Sequence, residues 1–147
     1  MANVSKSEID AFVHRVVGWS QTLQAYADAG VTKAQAALVA GDIDFATFNK
    51  ALQHKVAVTQ SCAHMIDAAS NVLLKVAEAQ LVPIENATER LKNASTKLED
   101  ITDGLELMGQ LFTAAGALAT AMLAPNPATI GAAASAVATV AEGVMEA

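Results

Sequence analysis

LMGQLFTAAGALATAMLAPNPATIGAAASAVATVA, residues 107–141, is a run of 35 residues without one Asp, Glu, Lys, Arg or His, and thirteen of them are alanine. Its reading decides the fold. Leu107 to Ala124 is built of strong helix formers with no interrupting proline, and alanine, leucine and methionine lead the helix-propensity order. Pro125 stops that helix, because it has no N–H to donate and pushes Ala124 out of the α region. Asn126 is then a helix N-cap with Pro127 at its favoured first position. A connection this short makes the two arms antiparallel neighbours, so the run is a helical hairpin.

Small residues recur every four positions on both arms, at Gly109, Thr113, Ala117 and Ala121 and again at Gly131, Ser135, Thr139 and Gly143. That spacing lets helix backbones approach closely, in lipid especially. It predicts either a tight core hairpin or a pair of arms that can enter a membrane. Length argues against permanent insertion. The first arm reaches about 27 Å and the charge-free part of the second about 21 Å, against a hydrocarbon core of about 30 Å. Insertion would have to be conditional.

Working outward, the chain has 147 residues, 53% hydrophobic and only 16% charged. It is long enough for one domain with a real core and too apolar for disorder. The net charge is −6, and it is placed unevenly. Residues 1–97 hold nine basic and nine acidic residues and so balance, while residues 98–147 hold six acids and no base. With no basic cluster and few aromatics, nucleic-acid binding is excluded as an expectation. Cys62 is the single cysteine, so no internal disulfide can form. The start, Met1 to Lys6, lacks an apolar signal region. The expected location is cytoplasmic, or exported without a cleaved signal peptide.

Upstream of the run, Ser5-Lys6-Ser7-Glu8 has capping-box spacing and predicts a first helix from about Ser7 to Ala29, stopped by Gly30. A short second helix follows, Lys33 to Ala40, closed by Gly41. Asp44 caps a third helix with the stripe Phe45, Phe48, Leu52, Val56, Thr59, Ala63, Ile66, Ser70, Leu73, Ala77, running to about Gln80. Leu81 to Glu85 forms a turn at Pro83. A fourth helix then carries Ile84, Ala87, Leu91, Ala94, Leu98, Ile101, Leu105, Met108, Phe112, Ala115, Ala119 and Met122, a coiled-coil heptad seam unbroken into the apolar run.

The expectation is therefore an all-α fold: an elongated antiparallel helical bundle of four to five helices with a C-terminal alanine-rich apolar helical hairpin. Residues 1–58 and 103–147 form a head in one single domain, and residues 59–102 form a thinner two-helix tail.

No catalytic or metal-binding constellation is legible, and no cofactor is expected. Cys62-Ala-His64 and His64 with Asp67 lack the helical Glu-x-x-His spacing of a carboxylate metal site. Function must come from surfaces. The candidate interface or membrane hairpin comprises Gly109, Phe112, Gly116, Met122, Pro125, Pro127, Gly131, Ser135, Thr139 and Gly143. Glu99, Asp100, Asp103 and Glu106 form a collar just before it. They are either a solvated helix face or a pH gate whose protonation eases the hairpin toward lipid. Trp19 is a core residue or a partner anchor.

Two functional expectations follow. The first is a non-enzymatic assembly protein, a homo-oligomer or an adaptor for a protein partner. The second is a membrane-active chain that meets lipid conditionally. An apolar hairpin at the head of an elongated bundle resembles the α-helical pore-forming toxins. The resemblance covers residues 107–141 and general shape alone, and implies a toxin subunit or effector that inserts this hairpin.

Overall fold

Four of the five helix starts are fixed by a side chain closing onto the first turn. Ser5 accepts from the Glu8 N–H at 3.1 Å to begin α1 (Lys6–Val39), and Asp44 accepts from the Thr47 N–H at 2.8 Å to begin α2 (Phe45–Val72). Asp103 does the same for α4 (Gly104–Leu123) through the Glu106 N–H at 3.0 Å. Asn126 accepts from the Thr129 N–H at 2.9 Å and Thr129 accepts from the Asn126 N–H at 3.0 Å, a reciprocal cap that begins α5 (Pro127–Met145). These bonds satisfy N–H groups that a helix start otherwise leaves orphaned. The remaining helix, α3 (Val82–Ala94), grows directly out of a 3-10 turn at Glu78–Leu81, with Pro83 in its first turn. A second 3-10 turn spans Ser95–Asp100. The computed structural model describes residues 4–146, which contain no strand. Part of the segment read for a signal sequence, residues 1–3, lies outside them.

Consecutive helices run antiparallel. Gln24 lies beside Thr59 and Asp28 beside Lys55, which sets α1 against α2. The His54 ring lies over the Phe112 ring, and the Lys75 ammonium reaches the Leu123 carbonyl, so α2 and α4 run parallel as neighbours. α4 is the central helix, packed on α1, α2 and α5, while α3 lies mainly on α5. All five helices contribute to one core. Its largest fully buried side chains include Phe12, Leu23, Tyr26, Met65, Ile84, Leu91, Met108, Leu111, Leu118 and Met122. Each such aliphatic side chain contributes about 1.5–3 kcal/mol by leaving water. With 34 residues, α1 runs about 51 Å and sets the long axis.

The all-helical fold and the apolar C-terminal hairpin are as the sequence implies. Four details differ. First, Gly30 does not end a helix: α1 continues through it to Val39. A Cβ on Gly30 would lie 2.6 Å from the Met108 sulfur, and one on Gly104 would lie 2.5 Å from the Gly30 carbonyl oxygen. The two glycines let α1 and α4 cross closely, so Gly30 is a packing residue inside a helix. The stop falls at Gly41, whose φ of +81° suits glycine.

Second, α2 ends at Val72, well short of Gln80.

Third, the fourth predicted helix is not continuous. The hydroxyls of Ser95 and Thr96 bond back to the carbonyls of Lys92 and Asn93, and Ile101 leaves the helix with an extended backbone. Asp103 then caps a new start and the chain reverses. The seam residues of α3 and most of those of α4 are buried, but on two antiparallel helices rather than one rod.

Fourth, residues 59–102 do not pair as a two-helix tail. α2 packs on α1 and α4, and no α2–α3 packing forms. The register of α2 differs too. Its buried face is Ala51, Val58, Cys62, Met65, Ala69 and Val72, whereas the stripe from Phe45 to Ile66 faces outward or lies at the margin.

Candidate functional site

The hairpin residues divide into two sets. Met122 is fully buried, and Gly109, Gly116 and Pro125 are half-buried. Phe112 is 46% exposed and stacks on His54, with ring centroids 4.9 Å apart and planes 6° from parallel. Pro127, Gly131, Ser135, Thr139 and Gly143 are exposed. The small-residue repeat therefore lies largely outside the core, with Ala121 the fully buried exception. The buried faces of the two arms carry larger side chains among their alanines: Leu107, Leu111 and Leu118 on α4, and Ile130, Val137, Val140 and Val144 on α5. A Cβ added at Gly109, Gly116 or Gly131 would meet nothing within 4 Å. Of the stripe's glycines, Gly143 alone would bring a Cβ near a neighbour, the Gln110 side chain.

The outer hairpin face is uncharged from residue 107 to 141, and its threonine hydroxyls are engaged. Thr113, Thr120 and Thr139 donate to the carbonyls of Gly109, Gly116 and Ser135 at 3.2, 3.0 and 3.0 Å. Such back-bonding leaves methyl groups outward and removes part of the penalty for taking a hydroxyl out of water.

The collar acids Glu99, Asp100, Asp103 and Glu106 are all exposed. They surround the N-terminus of α4, where negative charge is favoured by the helix dipole. Asp103 has a structural task as the cap. Lys33 donates to the Glu99 carbonyl at 2.8 Å and leaves the carboxylate free of that bond. This end is remote from the Pro125–Pro127 turn, which lies at the other end of α4. A gate in the collar would not act directly on the turn.

Trp19 is 7% exposed and meets Phe12 edge-on at 5.8 Å. It is a core anchor and presents no exposed ring to a partner. It does border a groove of about 550 Å³ between α1 and α3. Two polar contacts hold those helices at their spacing. Arg15 bonds Glu85 at 3.0 Å and also Glu78, and the Tyr26 hydroxyl donates to the Leu91 carbonyl. Burial pushes the Tyr26 hydroxyl up to about 12, so it stays protonated as the donor.

Cys62 is 3% exposed, and burial raises its thiol above the usual range, opposed by a bond to the Ser20 carbonyl. A thiol held protonated is a weak nucleophile. His14 and His64 are exposed. No group of three His, Cys, Asp or Glu that could hold a metal ion occurs among the described residues.

One surface was not singled out from sequence. Along α2, Phe45 is 68% and Val56 57% exposed, with Phe48 and Leu52 half-buried beside them. Val39 at the end of α1 is 83% exposed. Next to the upper part of this stripe lies a mainly apolar cleft of about 530 Å³ between α1 and α2, bordered by Ala25, Thr59, Ala63 and Ile66. The signal was present in the sequence as two apolar stripes on α2, of which only one can face the core.

No protein-family model matches this chain, and neither does any curated protein or solved structure.

Proposed function

We propose that this chain is a non-enzymatic helical-bundle protein that acts by protein–protein assembly, as an oligomer or an adaptor. The observation that carries this reading is the number of large apolar side chains left outside a well-filled core. Phe45, Val39, Val56, Leu74, Val82, Phe112, Leu123 and Met145 are each between 46% and 83% exposed. Scattered single residues need no explanation, but a contiguous group such as that on α2 marks an interaction surface. The low charge content leaves few groups to solvate such a surface. Sedimentation velocity across micromolar concentrations tests it: an oligomer is expected, and a compact monomer throughout contradicts self-assembly.

A second reading has its own observation. α4 and α5 are both long and apolar enough to cross a membrane by length and composition, with mean hydropathies of 1.2 and 1.4. Between residues 107 and 141 their outer face is uncharged and its threonines are bonded back. In this reading the hairpin enters lipid turn first, the uncharged Pro125–Pro127 end leading and the collar staying at the surface. Dye release from liposomes is then expected, rising as pH falls below about 5, where carboxylates near their reference values protonate. Leakage equal to buffer at every pH sinks this reading. Ser135→Asp places a charge on the exposed face without touching the core and should abolish release.

A further inference from the structure

Three polar side chains of α1 reach across to α3 and the turn that follows it. Arg15 donates to Glu85 at 3.0 Å and also to Glu78, the Tyr26 hydroxyl donates to the Leu91 carbonyl, and the Lys33 ammonium donates to the Glu99 carbonyl at 2.8 Å. At 100° per residue, positions 15, 26 and 33 fall within about 20° of one another, on a line about 27 Å long. Thr22 lies on the same line, but it turns its hydroxyl back to the Gly18 carbonyl at 3.2 Å. A Cβ on Gly18 would meet nothing within 4 Å. The groove of about 550 Å³ runs along this line, walled by Gly18, Thr22 and Ala25 on α1 and by Thr88, Glu89 and Lys92 on α3. The α1–α3 seam is thus bridged by polar contacts and left open between them.

We infer that this seam is a latch: the row Arg15, Tyr26 and Lys33 holds α3 closed on α1, and the bundle opens along this line before it unfolds elsewhere. The packing of the other helices says why it is this line. α3 rests mainly on α5, and among the described residues it packs on neither α2 nor α4. The pair α3 and α5 therefore meets the other three helices along two edges, the apolar face of α5 on α4 and the polar seam. Polar contacts are exchanged for water at little net cost, whereas apolar burial is lost outright. The polar edge yields first, and the α4–α5 face stays closed as the hinge.

The chain connections permit that motion. The link from α3 to α4, residues 95–103, lies at one end of α4, and the link from α4 to α5, residues 124–126, lies at the other. An axis along α4 passes close to both. The third link, residues 73–81 between α2 and α3, holds no α-helix, and nine residues can span about 30 Å. α3 and α5 can swing outward without breaking a helix. The latch rests on the membrane reading above for its use: opening the seam gives lipid access to the inner face of α4 and α5, where most of the hairpin's large side chains lie.

The chain carries two reporters of its own. Trp19, the only tryptophan, borders the groove and is 7% exposed. Cys62, the only cysteine, is 3% exposed on α2 against the Ser20 carbonyl of α1, in the part that stays closed. Acrylamide quenching of Trp19, thiol labelling of Cys62 and helical circular dichroism are followed in rising urea for wild type, Arg15→Gln and Tyr26→Phe. Trp19 should become quenchable before Cys62 protection and helix are lost. Each variant should raise the opening constant about fivefold and so move the Trp19 step to lower urea, leaving the later step in place. Tyr26→Phe removes a single hydroxyl and decides alone if Arg15→Gln does not fold. One coincident transition for all three probes in every form overturns the latch. Dye release from vesicles of phosphatidylcholine with phosphatidylglycerol, measured on the same preparations at neutral and acid pH, should be faster for the variants. Separate steps with no release from any form leave the latch standing and sink the membrane reading. Release at one rate from all three forms leaves that reading standing and overturns the latch as its opening step.

Discussion

The two hairpins of this bundle use apolar residues in opposite ways. The C-terminal pair, α4 and α5, has no charge between residues 107 and 141. It turns most of its large side chains inward, Phe112, Leu123 and Met145 excepted, and leaves much of its glycine, serine and threonine outside. The N-terminal pair, α1 and α2, carries ordinary charges on its flanks but leaves Val39, Phe45 and Val56 more than half exposed. Composition draws attention to the first pair, yet the second leaves an apolar stripe, Phe45 to Val56, along one helix in water. Lack of charge and unburied apolar area are different properties, and only the second drives association in water. In lipid the ranking reverses, because close approach of small residues is what stabilises helix pairs there.

Substitutions can break or sharpen this contrast. The largest effect belongs to the inner face of the C-terminal hairpin. Leu118→Ala removes a fully buried side chain from the central helix and should lower unfolding free energy by about 2–5 kcal/mol, read by urea denaturation. Val56→Ala, an aliphatic truncation on the exposed face of the N-terminal hairpin, should change monomer stability by no more than about 0.5 kcal/mol while weakening association. Equal losses of stability at both sites would erase the distinction.

Next in size is the crossing that joins the two hairpins. Gly104→Ala drives a methyl group to 2.5 Å from the Gly30 carbonyl oxygen and 3.0 Å from the Ala34 nitrogen. Backbone must shift, at about 1–3 kcal/mol. A neutral result would show that α1 and α4 do not cross this closely. Asp103→Ala removes the cap that lets α4 start after the reversal, at about 1 kcal/mol, measured in the same titration.

The smallest effect is the pH dependence of the α2 cap. Bonds to Thr47 hold the Asp44 carboxyl below its ordinary value. A carboxyl lowered on folding adds stability that is present above its unfolded value of about 3.9. That stability fades as pH falls through the lower folded value. The gap between wild type and Asp44→Ala should therefore be full at neutral pH and shrink in acid. A gap that grows in acid contradicts the capping bond.

Much of the fold was legible in residues with a single local meaning. Pro125-Asn126-Pro127 can only be a break and a restart, and Ser5, Asp44 and Asn126 act as the caps their neighbours imply. What was not legible depends on tertiary contact. Gly30 has the composition of a stop, and only the arrival of Gly104 and Met108 beside it explains a helix that continues. The Ile84-to-Met122 seam satisfies heptad spacing, yet Asp103-Gly104 competes as a helix start and wins because Gly104 is needed at the crossing. For the candidate surfaces, periodicity picked out the Phe45-to-Ala77 stripe on α2, whereas the core takes Ala51, Val58, Cys62 and Met65.

The contrast between the hairpins has one direct test. A carboxylate is placed on each outer face, Val56→Asp on the N-terminal pair and Ser135→Asp on the C-terminal pair, and the mass of each is followed by sedimentation velocity beside wild type. Association lost in Val56→Asp and kept in Ser135→Asp is the predicted result. Association lost only in Ser135→Asp, or a wild type with none to lose, would contradict it.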